Sequence, residues 1–172
     1  MKIIRSLCLA WGVLCASVTA AQCGQPAPRA LFVSLVQNPP VLSSRREIGS
    51  LIDFAKQARV NILFVQIYRE NKAWFPSKLA DARPYARCAK SVAADPFALL
   101  IRQAHRAGIQ VHAWLNLLSL STNADAVFLK KYGTDILTRN VRQKKELKDY
   151  IIDGQYFLEP SDPCVKRELL GI

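Results

Sequence analysis

The sequence predicts an α/β fold in which strands and helices alternate, and three observations predict it. Ala30 to Val36 and Ile62 to Ile67 are short, nearly continuous apolar runs, the pattern of strands covered on both faces. Between them, Ser44 and Glu47 have the spacing of a capping box, and Ile48, Leu51, Ile52 and Ala55 follow at helical intervals. Ala104 to Asn116 reads as a helix end, a glycine stop at Gly108 and a buried strand finishing in polar and aromatic groups. A strand that ends this way suits a pocket at the carboxyl ends of a parallel sheet.

The elements follow in order. Pro39-Pro40 ends the first strand, and Asn61 marks the turn into the second. Tyr68 to Ala94 is irregular in composition and predicts a long loop, which is uncommon in compact domains unless it has a function. Asp95-Pro96 opens the next helix, with aspartate as N-cap and proline at the first helical position. Phe97, Leu100, Ile101 and Ala104 form its predicted buried stripe, and Ile109 to Leu115 is the third strand. Asn123 to Tyr132 predicts a third helix, closed by Gly133. Thr134 to Asp153 reads equally as helix or as an irregular excursion. Asp153-Gly154 is a turn, and Gln155 to Leu158 a fourth short strand. Asp162-Pro163 opens a last helix with Val165 and Leu169 on its apolar side. Strand–helix units in series imply a parallel sheet with right-handed crossovers. Four such units are the first half of a TIM-type (β/α)8 barrel, which takes ~200–250 residues. The 172-residue chain then reads as the truncated front of a larger domain. A small open four-stranded α/β sheet is the other architecture this length accommodates.

Residues 1–21 have the form of a signal peptide: basic Lys2 and Arg5, an apolar run from Ser6 to Val18, and small residues at Thr19-Ala20-Ala21. The run is shorter than the ~18–20 apolar residues a membrane span needs, so no stable span is expected. Residues 22–28 form a leader, and 29–172 the partial barrel domain. The expected location is periplasmic or extracellular. Cys8 and Cys15 fall in the signal, leaving Cys23, Cys88 and Cys164. An oxidising compartment permits a disulfide and leaves one thiol over. Cys88 and Cys164, placed in loops after strands two and four, are a candidate pair.

The net charge of +11 becomes +9 without Lys2 and Arg5. One basic cluster stands out, at Arg139, Arg142, Lys144, Lys145 and Lys148. It reads as a solvated face, or as an attraction for anionic envelope polymers. The export signal and the lack of a recognition motif argue against nucleic acid as a partner.

In the predicted parallel sheet, the strand ends deliver Gln37 and Asn38, then Gln66, Tyr68, Arg69 and Glu70, then His112, Trp114 and Asn116, then Glu159. His112, Trp114 and Asn116 alternate onto one face. An aromatic platform with imidazole and amide groups suits a sugar, although His112 and Trp114 equally suit a filled barrel interior. His105 lies at a helix C-terminus, where a cation is favoured on the surface. Two histidines, His105 and His112, cannot build an ordinary zinc site, and no phosphate loop or nucleophile elbow is present. Glycoside hydrolysis uses two carboxylates. Glu159 is the acid with the clearest strand-end position and Glu70 a second candidate; an ion pair with Arg69 or another cation is the structural alternative for both.

Five segments together resemble the bacterial glycosyl-hydrolase-like family 10, extracytoplasmic glycosidases with a (β/α)8 barrel. They are Arg29 to Val33, Phe64 to Ile67, Trp74 to Lys78, Ala104 to Asn116, and Tyr156 to Pro160 with Asp162, Pro163 and Val165. The resemblance implies a glycoside hydrolase acting on a cell-envelope or extracellular polysaccharide, with peptidoglycan glycan strands among the candidates. It implies Glu159 as a catalytic carboxylate, and Asn116, Gln66 and Arg69 orienting sugar hydroxyls. Trp74 and Trp114 would be stacking faces, with His112 beside them, and no metal or organic cofactor would be needed. Glu159 stands where the family usually has aspartate, and Leu117 where proline commonly follows the asparagine. A non-catalytic carbohydrate-binding protein or an inactive remnant of such an enzyme is the alternative.

Overall fold

The structure is a computed structural model and describes residues 27–139 and 146–172. The expected signal peptide, the leader up to residue 26, Cys23, Arg142, Lys144 and Lys145 lie outside the described residues. In chain order the elements begin with β1 (Ala30–Val33), α1 (Arg45–Gln57), β2 (Ile62–Arg69) and β3 (Lys72–Ala73). Next come α2 (Arg83–Val92), α3 (Pro96–Arg106) and β4 (Gln110–Leu115). The chain finishes with β5 (Ser119–Ser121), α4 (Val127–Tyr132), β6 (Tyr156–Phe157) and α5 (Pro163–Leu170).

β2 is the middle strand. It pairs in parallel with β1 on one side and β4 on the other, and its end folds back on β3 in an antiparallel hairpin. Leu63, Val65 and Ile67 alternate onto the helix side of β2. There they pack in one core with Val33, Leu35, the α1 stripe Ile48, Leu51, Ile52 and Ala55, and Leu99, Leu100 and Ala104 of α3. The helix N-caps form where the sequence places them, with the serine half of the Ser44/Glu47 box present. Ser44 accepts from the Glu47 amide, Asp95 from Ala98, and Asp162 from Cys164 and Val165. Gly108 takes φ +71° after α3, the left-handed conformation for which glycine is suited.

Several expectations are corrected. Tyr68 to Ala94 is a hairpin and a helix rather than a loop. α2 carries Pro84, Cys88 and Val92, four residues apart, on its buried side, a stripe too sparse to stand out. In α3 the inward side is Leu99, Leu100 and Ala104, while Phe97 and Ile101 are half-buried. The predicted fourth strand does not extend the parallel sheet. β6 pairs antiparallel with β5 in a separate two-stranded sheet, over a second core of Leu120, Phe128, Leu137, Leu158 and Val165. The described chain is thus a mixed α/β fold with three parallel strands, and the predicted four-unit half-barrel is not formed by them. Cys88 and Cys164 are free thiols: Cys88 packs in the first core and Cys164 against the second, so the candidate bridge is not formed.

The sheet face turned away from the helices is open. Phe32 stacks on Phe64 with ring centroids 4.8 Å apart, Phe64 on His112 at 5.1 Å, and Trp114 meets Phe32 edge-on at 5.5 Å. Phe32 is nonetheless 63% exposed. A contiguous apolar surface of this kind drives association. The purified 172-residue polypeptide is therefore expected to self-associate in sedimentation velocity, and Phe32→Ser to shift it toward monomer. Identical sedimentation of the two would show that this face is not responsible.

Candidate functional site

At the carboxyl ends of β1 and β2 lies a cleft of 810 Å³. One wall is the loop after β1, with Gln37 and Asn38. Trp74, the β2–β3 hairpin and the face of α2 bearing Pro84, Arg87 and Ser91 also line the cleft. The β2–β3 hairpin is tight. Arg69 pairs with Lys72, and the two residues between them, Glu70 and Asn71, both have φ of 56°. Two positive φ angles are what a two-residue turn of the I′ type requires. Asparagine tolerates this region, whereas glutamate there costs about 1–2 kcal/mol. Such strain at a cleft marks a position that the surroundings hold in place.

Glu70 is held from two sides. Lys72 Nζ donates to Oε2 at 3.0 Å and Arg69 Nε to Oε1 at 3.0 Å, with Arg69 Nη2 also on Oε1. Burial alone would push the Glu70 carboxyl up, but hydrogen bonds from Lys72 and Arg69 and their charges outweigh it and hold it below the ordinary carboxylate range. The ion pair foreseen for Glu70 is formed. Nearby, Arg83 donates to both oxygens of Asp81, at 2.8 and 2.7 Å. That hydrogen bonding lowers the Asp81 carboxyl as well.

The turn is anchored from behind. Asn71 is fully buried; its amide nitrogen donates to Tyr68 Oη at 3.0 Å and to the Leu79 carbonyl at 3.4 Å, and its side-chain oxygen accepts from the Phe128 amide at 3.2 Å. Asn123 Nδ2 donates to the Glu70 carbonyl at 2.6 Å. The second core therefore grips the turn that presents Glu70.

The expected site residues divide into three places. Arg69 and Trp74 line the cleft, although Trp74 is only 9% exposed and contributes more packing than stacking surface. Gln66 and Trp114 are partners in the β2–β4 register, on the open face with His112. Gln66 is buried and accepts from Ser34 Oγ at 3.1 Å. A bulge in β2 after Gln66 shifts the pairing, and Asn116 ends β4 by donating its backbone N–H to Tyr68. Glu159 lies apart from the cleft lining. Its Oε1 accepts from Ser161 Oγ at 2.6 Å and from the Ser161 amide at 3.1 Å, bonds that hold its carboxyl below the ordinary range. Lys72, Asp81, Arg83 and Arg87 also line the cleft, and sequence reading did not single them out. Arg83 and Arg87, four residues apart, become one helix face only once α2 is recognised. Among the described residues no group of three or more His, Cys, Asp or Glu could hold a metal ion. No described helix is long and apolar enough to cross a membrane.

A family model described as Glycosyl hydrolase-like 10 matches residues 28–170. The chain belongs to this family. Within the glycosyl hydrolase-like 10 frame, it is similar to the protein called glycosyl hydrolase DigH of Escherichia coli strain K12. The two are 22% identical over 128 residues, covering 70% of this chain and 28% of that protein. DigH of Shigella flexneri matches with the same identity and coverage. The chain thus spans little more than a quarter of the length of these curated relatives.

Two outcomes follow from the turn. Asn71→Ala removes three hydrogen bonds from a buried site and puts alanine in the left-handed region. It is expected to lower unfolding free energy by about 2–4 kcal/mol in urea titration. A loss below about 0.5 kcal/mol would show that the joint is not structural. Because the Glu70 carboxyl is depressed in the folded state, its contribution is complete above the ordinary carboxylate range. It is lost as pH falls through that range and the lower folded value. The stability gap between the protein and Glu70→Gln should therefore be widest at neutral pH and shrink in acid. A gap independent of pH would contradict the ion pairing.

Proposed function

We propose that this chain is part of an exported glycoside hydrolase acting on a cell-envelope or extracellular polysaccharide. The observation that carries the proposal is the family match over residues 28–170, laid over a fold whose β1 and β2 strand ends open into a cleft that bears charged and amide side chains. The (β/α)8 reading belongs to this proposal. Further parallel strands beside β4 would cover Phe32, Phe64 and Trp114, which face the interior in a closed barrel. The name of DigH supports the glycosidase reading.

In this reading Arg69, with Gln37 and Asn38 of the same cleft, binds sugar hydroxyls; Gln66, Trp114 and Asn116 line the adjoining barrel mouth, with His112 one step deeper beneath them. Glu159 is the catalytic carboxylate. Its hydrogen bonds from Ser161 favour the ionised form, which suits a base or nucleophile. Glu70, paired with Arg69 and Lys72, serves in this reading to hold its two cations at the cleft. The same pairing favours a second reading, a chain that binds glycan without cleaving it.

The deciding assay is release of reducing ends from purified envelope glycans, peptidoglycan strands among them. The hydrolase reading expects release, with Glu159→Gln slower by roughly 10²-fold or more while glycan retention on an affinity gel is kept. Retention of glycan with no release by the unaltered protein would favour the binding reading. Equal rates for the two proteins would remove Glu159 from the chemistry.

A further inference from the structure

The cleft has a lopsided charge. Its lining carries four cationic side chains, Arg69, Lys72, Arg83 and Arg87, against two carboxylates, Glu70 and Asp81. The pairings decide how that excess is distributed. Glu70 sits between Arg69 and Lys72, leaving this trio with one positive charge; Arg83 and Asp81 neutralise each other in a two-pronged pair. Arg87 has no hydrogen-bonding or ion-pairing partner among the described residues. It stands one turn beyond Arg83 on the same face of α2, so its guanidinium borders the cleft uncompensated. The part of the lining that follows β1, by contrast, carries no charge: Gln37 and Asn38 offer amides that donate and accept. A cleft lined both by neutral hydrogen-bonding groups and by an excess of cations fits a ring that carries hydroxyls and an anionic substituent. A guanidinium matches a carboxylate with two parallel hydrogen bonds.

We propose that the cleft between the β1 loop and α2 is a subsite for a sugar bearing a carboxylate, with Arg87 as the residue that selects the acidic form. The carboxylate lies against Arg87 on the α2 side, supported by the spare charge of the Arg69–Glu70–Lys72 trio. The ring hydroxyls lie toward Gln37 and Asn38. This inference rests on the glycan reading above and narrows it to acidic glycans. Two sources share the chemistry, a uronic acid ring and a carboxylate carried on an ether side chain of the sugar.

The test is calorimetric binding of two oligosaccharides to the purified full chain. One contains glucuronate and the other N-acetylmuramate, and each is compared with its carboxyl-reduced counterpart. The expected result is a preference of roughly tenfold to a hundredfold for the carboxylate form of at least one pair, which identifies the source. Arg87→Ala should erase that preference, bringing affinity for the carboxylate form down to that of its reduced counterpart. Arg87→Lys should keep part of it. Lys90→Ala, which removes an exposed charge from α2 outside the cleft lining, should leave it intact. Equal affinity for acidic and reduced sugars would overturn the acidic subsite and leave the glycan reading standing. So would a preference that survives Arg87→Ala or falls equally with Lys90→Ala. Failure to bind either form would overturn both.

Discussion

The side chain of Asn71 joins three parts of the molecule through buried hydrogen bonds. Its amide bonds β2 through Tyr68 and the 77–81 segment through the Leu79 carbonyl; its oxygen receives the Phe128 amide at the start of α4. Its backbone carbonyl receives the Asp81 amide, and Asp81 in turn accepts from Ala73 through its own carbonyl. The residue is fully buried, so each of these groups would be unsatisfied if its partner withdrew, at about 1–3 kcal/mol apiece. The consequence reaches the cleft directly. Its two carboxylates, Glu70 and Asp81, are the chain neighbour of Asn71 and the residue bonded to its backbone. Both are positioned from a point where no ligand reaches. A packed apolar joint could slide; a saturated carboxamide in a tight turn has one arrangement.

Most of the parallel layer was legible because its signals are local. The α1 stripe at Ile48, Leu51, Ile52 and Ala55 is buried as its spacing demands, and Ser44, Asp95 and Asp162 cap the helices that follow them. Asp153-Gly154 forms the two-residue turn its composition announces, closed by reciprocal bonds between Ile152 and Gln155. Glu70-Asn71 makes a turn of the same kind, but glutamate is not a turn residue. Only the tertiary grip of Asn71 and Asn123 keeps it there, and no reading of sequence periodicity contains that information. The fourth strand failed for a related reason. Tyr156 and Phe157 are strand formers by type, but strand propensity does not say which edge they join. The second core drew them to β5 instead of β4.

The site was legible where it depends on strand ends and obscure where it depends on α2. Arg69 and Trp74 reach the cleft because the end of β2 and the chain just beyond it open there, a rule of parallel sheets and not of this protein. Arg83 and Arg87 looked like scattered basic residues in a loop. Their alignment exists only when residues 83–92 coil, and that coiling is stabilised by burying Pro84, Cys88 and Val92 against the first core. The conspicuous basic cluster was the less informative one. Its described members Arg139 and Lys148 are satisfied by the nearby acids Asp135 and Glu146, as expected of a solvated surface.

The open face of the sheet explains why His112 and Trp114 read as site residues yet lie away from the cleft. Along β1 this face runs Ala30, Phe32, Ser34; along β2 it runs Ile62, Phe64, Gln66; on β4 it carries His112 and Trp114. On β1 and β2 the side chains turn from apolar to polar toward the carboxyl end, where Ser34 donates to Gln66. Deep in a sheet a polar group has no partner and is costly, so hydrogen-bonding groups accumulate at the ends where loops and ligands can satisfy them. His112 sits one step too deep for that zone, stacked on Phe64 as part of the aromatic ladder. Trp114 is level with Gln66 and borders the polar end. Position along the strand, more than residue type, separates the side chains that fill this face from those at its polar end.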